Sequence, residues 1–194
     1  MLSQRFSVRV VVIVLIWCLS AALLGASGVL ASLQPPFPQV ILFGLVALLL
    51  IVYGFSSELR GWISSIPLAS LVSVHLIRFV GFYFLWLYHH GQLPYAFGVL
   101  GGWGDIVVAT LALILLVLRP GSRAIYQVWN ALGFADILFV VSTATRLALA
   151  DPASMATLLR FPLSLLPTFI VPIIIFTHIV IFLRLKGGRL NRAG

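Results

Sequence analysis

The 194-residue chain is 62% hydrophobic and only 8% charged, with a formal net charge of +8. So few polar side chains cannot cover a water-facing surface, which excludes an ordinary soluble domain and makes lipid the main solvent. The positive balance raises nucleic acid as a partner, but the basic residues follow the ends of apolar segments instead, which argues against it.

Six segments approach the about 20 residues that a helix needs to cross the hydrocarbon core. The first is predicted over 8–33 and stops at Gln34-Pro35-Pro36-Phe37-Pro38, where proline cannot continue a helix. Arg5 and Arg9 before an apolar core imitate a secretory signal, with Val29–Ala31 as a small-residue cleavage site. The apolar run is longer than a signal core, and Trp17 before Cys18 rules out a lipid-attachment motif, so a retained first helix is expected. Lone Cys18 implies neither a disulfide framework nor a thiol metal site.

The second segment is predicted over 40–55 and closes at Ser56–Arg60. The third, 63–90, ends in the turn Gly91-Gln92-Leu93-Pro94. The fourth, 95–118, closes at Arg119-Pro120-Gly121-Ser122-Arg123, and the fifth, 124–150, at Asp151-Pro152. Residues 151–161 read as an interfacial connection, with Asp151 placed to cap a short helix. The sixth, 162–185, carries Pro162, Pro167 and Pro172, each of which frees a backbone carbonyl that needs a partner. A basic tail, 186–194, follows. The expected fold is an all-α membrane bundle of six transmembrane helices in a single domain.

Orientation comes from the basic residues. With the N-terminus cytoplasmic, the inner side receives Arg5, Arg9, Arg60, Arg119, Arg123, Arg184, Lys186, Arg189 and Arg192, and the outer side only Arg160. Both termini are then cytoplasmic.

Arg78 and Arg146 remain inside segments. At about 1.5 Å per residue, Arg78, Asp105 and Asp136 fall at a similar, central depth on three different helices, with His75 one turn nearer the cytoplasm. Isolated charges are costly there, so an ion pair of Arg78 with Asp105 or Asp136 is predicted, facing the bundle interior. At about 100° per residue, His75, Arg78 and His89 share an arc of roughly 60°, which predicts a polar stripe reaching the outer surface at His89 and His90. Asn130 and His178 lie toward the inner side, and Arg146 is placed to pair with Asp151 or meet headgroups. The glycines of Gly101-Gly102-Trp103-Gly104 permit close approach beside Asp105.

Three chemistries compete for these residues. A buried Arg/Asp/Asp site with His75 suits binding or passage of a small polar or charged species, or of protons. The bland reading is a structural ion pair, as in a subunit of a larger membrane complex or a homo-oligomer. His75 and His178, at neighbouring depths, are the candidate axial pair for haem b in an electron carrier. No cofactor is otherwise expected. Adjacent His89 and His90 point about 100° apart and make no helical metal chelate. Zinc-hydrolase, serine-hydrolase and phosphate-loop motifs are missing, and the lone glutamate, Glu58, lies in a loop.

Arg78, Gly81 and Phe84, then Gly91-Gln92-Leu93-Pro94, Phe97 and Gly102-Trp103-Gly104-Asp105, form a pattern. It resembles a group of small uncharacterised bacterial polytopic membrane proteins over roughly a quarter of the chain. The resemblance implies bacterial origin and a polytopic membrane protein and carries no activity; with it, a bacterial inner membrane is the expected location. It joins Arg78 and Asp105 in one pattern.

Overall fold

A backbone surrounded by lipid must satisfy its own N–H and C=O groups, and runs of apolar residues do so as helices. The computed structural model describes residues 2–187, with side chains from Phe6 onward, and among them the chain is all-α without a strand. Six helical stretches are long and apolar enough to span a membrane: Phe6–Ala26, Phe37–Phe55, Leu68–His89, Ala96–Leu118, Arg123–Ala150 and Leu166–Lys186. The basic tail expected over 186–194, with Arg189 and Arg192, lies outside the described residues from position 188.

Helix α1 (Leu2–Ala26) ends earlier than predicted, because Gly28 at φ +79° takes a left-handed turn, and only the 3-10 turn Leu30–Ser32 follows. Helix α2 (Phe37–Phe55) starts with Pro38 in its first turn, where a missing N–H costs nothing. The Arg60 guanidinium donates to the carbonyls of Tyr53 (3.1 Å) and Gly54, capping the end of α2.

The predicted third helix over 63–90 is corrected. Residues up to Ser65 belong to a separate helix, α3 (Ser57–Ser65), whose Ser56 cap accepts from the Leu59 N–H at 3.1 Å. Pro67 forces Ile66 into extended backbone and breaks the run. The span then comprises α4 (Leu68–Ser73), a seven-residue 3-10 stretch (Val74–Val80) and α5 (Gly81–His89). Gly91 (φ +69°) turns the chain, and the Gln92 N–H closes onto the Leu87 carbonyl at 2.9 Å.

The fourth span opens as a π turn (Ala96–Gly101) and continues as α6 (Gly102–Leu118); α7 (Arg123–Ala150) forms the fifth. The connection is a 3-10 helix (Pro152–Leu159), with Asp151 Oδ1 accepting from the Ala153 N–H at 3.1 Å. The sixth span starts at Leu166, later than the predicted 162, with a π turn (Leu166–Ile170) that carries Pro167, and runs on as α8 (Val171–Lys186).

The chain divides into two compact units. One comprises the described residues up to Ile66 with Ala156–Ile173, and holds α1 to α3. There Pro172 cannot donate to the Thr168 carbonyl, and the Trp17 indole does so instead at 2.9 Å, its ring packed edge-on to Phe169. A polar cavity was the predicted partner for such a carbonyl; an indole from α1 serves it. Exposed Val8, Ile13, Leu23, Phe37, Phe43 and Phe55 give α1 and α2 apolar outer faces suited to lipid.

The other unit comprises Pro67–Met155 and the chain from Ile174. Its third and fourth spans meet at glycines: a Cβ at Gly81 would lie 2.3 Å from the Gly102 carbonyl oxygen, so the two backbones touch. This approach places the 3-10 stretch against α6.

Candidate functional site

A 3-10 helix has three residues per turn, so side chains three apart eclipse. Val74–Val80 therefore aligns His75 and Arg78 in one row, both buried, at 0% and 1% exposure. Arg78 and Asp136 sit at the middle of their spans, 68–89 and 123–150, and Asp105 is two residues from the middle of 96–118.

Arg78 reaches three acceptors on two other spans. Its Nε donates to Asp105 Oδ1 at 2.6 Å, its Nη1 to the Gly133 carbonyl at 2.9 Å, and its Nη2 to Asp136 Oδ2. The sequence offered Asp105 or Asp136 as the partner; the structure brings both together on one guanidinium. Planar guanidinium suits this task because its donors point in fixed, separate directions. Gly104 makes room for the arrangement, since a Cβ there would lie 1.9 Å from Asp136 Oδ1.

Next to this cluster lies a second polar group. His75 and His178 lie ring against ring, centroids 4.1 Å apart and tilted by 44°, and Trp129 packs edge-on to His75. Asn130, fully buried, donates from Nδ2 to the His178 carbonyl at 3.0 Å. That fixes its Oδ1 as an acceptor, so His178 Nδ1–H donates to it (2.8 Å) and Nε2 of the neutral ring keeps a bare lone pair. Thr177 donates to the Ile174 carbonyl at 3.0 Å and accepts from His75 Nε2 at 3.2 Å, which leaves a lone pair on His75 Nδ1. Among the described residues neither His178 Nε2 nor His75 Nδ1 has a hydrogen-bond partner.

Sequence reasoning placed Asn130 and His178 only as secondary residues, yet they couple directly. Gly133 was missed altogether, although Asn130, Gly133 and Asp136 recur at intervals of three on α7. Its missing side chain admits the His178 ring, Cε1 of which would be 2.6 Å from a Cβ. Replacing Asn130 with alanine removes both contacts to His178 and orphans a buried nitrogen. A loss of about 1–3 kcal/mol is expected, read as a lower melting temperature of the purified protein; an unchanged midpoint would reject this clamp.

Three expectations need correction. The polar stripe toward the outer surface is broken, because the buried residues between Arg78 and exposed His89 are Gly81, Phe84 and Leu87. The His89 ring packs beside that of Tyr88, while His90 Nδ1 bonds the Trp86 carbonyl at 2.7 Å and its ring lies tilted against the indole, as aromatic anchors do. Arg146 is exposed and makes no ion pair with Asp151, whose side chain caps the connection instead. His75 and His178 do not fit haem: axial ligands aim nitrogens at an iron from opposite faces of a porphyrin, whereas these ring centroids are 4.1 Å apart, which leaves no room for an iron and a porphyrin between them. Among the described residues no group of three or more His, Cys, Asp or Glu could hold a metal ion.

A family model described as a domain of unknown function (DUF8737) matches residues 35–186. That range takes in every residue of both polar groups. Neither the curated proteins nor the solved structures yielded a match.

Proposed function

The chain belongs to the DUF8737 family, and on its geometry we propose that it is a multi-pass protein of a bacterial inner membrane that binds or conducts protons or another small charged species at the Arg78, Asp105 and Asp136 cluster. Both termini are cytoplasmic in this reading, supported by the concentration of basic residues at one set of helix ends.

One observation carries the proposal. A guanidinium that is 1% exposed, at the middle of a membrane span, meets two carboxylates from two other spans. Charges at this depth are expensive, and a single carboxylate would have sufficed to neutralise Arg78. The second carboxylate makes the cluster formally negative, which a purely structural pair does not need. The paired histidines, one on the span of Arg78 and one on α8, add two lone pairs that no described donor meets.

The test is ion flux in proteoliposomes containing the purified protein. Wild type is expected to pass protons or a small ion down an imposed gradient. Asp136→Asn, which keeps the side-chain shape and removes the charge, is expected to reduce the flux at least about tenfold, the factor that 1.4 kcal/mol commands. Identical traces for the two proteins would leave the cluster as a packing device of a larger complex, and would end the conduction reading.

A further inference from the structure

We infer that Asp136 is the exchange group of this site and that it loads one univalent cation, a proton or an alkali-metal ion, in place of a missing neutralising charge. The inference rests on the functional reading above and identifies its ligand.

The charge count is the first argument. One guanidinium faces two carboxylates, so the cluster carries one uncompensated negative charge when both are ionised. Water is the usual remedy, but Arg78 and Asp105 are almost fully buried. The net negative charge of the cluster disfavours an anion as the ligand and favours a cation.

The two carboxylates are not equivalent. The Asp105 side chain is 6% exposed and bound through Oδ1 at 2.6 Å, whereas that of Asp136 is 18% exposed and bound through Oδ2. Asp136 Oδ1 takes no hydrogen bond from any described residue and lies over Gly104, where a side chain of any size would collide with it. Asp136 is thus the carboxylate of the two that stays open to a small ion. Asp105 is the fixed counter-charge of Arg78.

The histidines supply the independent observation. His178, fully buried, presents its bare Nε2 against Gly133, the residue whose carbonyl Arg78 binds, with a Cβ position 3.1 Å away. His75 Nδ1 is a second such lone pair on the row that carries Arg78. Unpartnered lone pairs beside a negative cluster all favour a positive occupant. The groups facing Asp136 are Arg78 on the 3-10 stretch and Gly104 and Asp105 on α6; the π turn Ala96–Gly101 offers no charge, and α8 offers His178 and Thr177 one layer away.

Dicyclohexylcarbodiimide, an apolar reagent that couples to protonated carboxyls within membranes, tests this on the full chain in vesicles, read by mass spectrometry of the labelled peptide. Label is expected on Asp136 and not on Asp105, and to be lost in Asp136→Asn. If the ion is a proton, labelling falls about tenfold for each pH unit above its midpoint and ignores sodium and lithium. If it is an alkali ion, added sodium or lithium chloride protects Asp136 at constant pH. Asp105→Asn balances Arg78 against Asp136 alone, so the need for a cation goes and labelling of Asp136 is expected to fall. Label absent from Asp136, or unaffected by pH, by both salts and by Asp105→Asn, overturns the inference. Label with these dependences but no flux keeps the ion site and overturns only conduction.

Discussion

Arg78→Ala is expected to destabilise the protein by about 3–5 kcal/mol, the cost of breaking a buried ion cluster by removing one partner. The substitution does more than delete three hydrogen bonds. It leaves Asp105 and Asp136 facing one another and an unserved Gly133 carbonyl, with Asp105 almost fully buried. Arg78→Lys keeps the charge, but a compact ammonium cannot span three acceptors set apart on α6 and α7, so a partial loss is expected. The decisive comparison is the charge-free triple variant Arg78→Met, Asp105→Leu, Asp136→Leu. Buried ion groups replaced together by apolar residues are often neutral or stabilising, so the triple variant is expected to melt near wild type while passing no ion. Thermal melts of the purified proteins in one detergent check both statements. An Arg78→Ala midpoint within a degree or two of wild type would mean that the cluster stores little energy. A triple variant as weak as Arg78→Ala would mean that the loss comes from side-chain shape and not from charge.

The parts of this molecule that physics makes expensive were the parts visible in the sequence. Long apolar runs, four of them closed by prolines, gave the six spans, because in lipid such a run satisfies its own backbone as a helix. Charges inside those runs pointed to one another, since each would be prohibitive alone, and Arg78, Asp105 and Asp136 do meet. What escaped notice depends on backbone geometry that the hydrophobic pattern does not encode. An α-helical wheel puts His75 about 60° from Arg78, while the 3-10 stretch puts the two in line and moves the remainder of the span in register. The π turns at 96–101 and 166–170 shift register in the opposite sense. The Pro67 break was legible, because Pro disfavours helical backbone in the residue before it and polar Ser64-Ser65 stands just ahead of it. The Asn130–His178 clamp and the Gly133 carbonyl required knowing which face of α7 meets α8. No single-helix periodicity carries that.

Glycines supply the second large effect, and their neighbours decide its size. Gly44, on α2, has nothing within 4 Å of a Cβ position, so Gly44→Ala is expected to be neutral or to gain up to about 1 kcal/mol of helix propensity. Gly104 faces a carboxylate that can swing, so Gly104→Ala is expected to cost little stability but to push Asp136 off Arg78 and to lower ion flux with it. Gly81 is different in kind. Its Cβ would meet the Gly102 carbonyl oxygen at 2.3 Å, the Ile106 side chain at 3.0 Å and Asp105 Cβ at 3.1 Å. A backbone carbonyl cannot rotate away, so the third and fourth spans must separate, and the row that carries His75 and Arg78 is drawn away from Asp105. Gly81→Val is therefore expected to cost at least the upper end of the overpacking range, about 3 kcal/mol, and to remove ion flux and Asp136 labelling together. Melting temperature, labelling and flux in the series Gly44→Ala, Gly104→Ala and Gly81→Val separate the cases: stability and labelling fall only at the third, flux at the second and third. A Gly81→Val protein with wild-type stability would show that the two spans do not need this backbone contact, and that Arg78 reaches Asp105 without it.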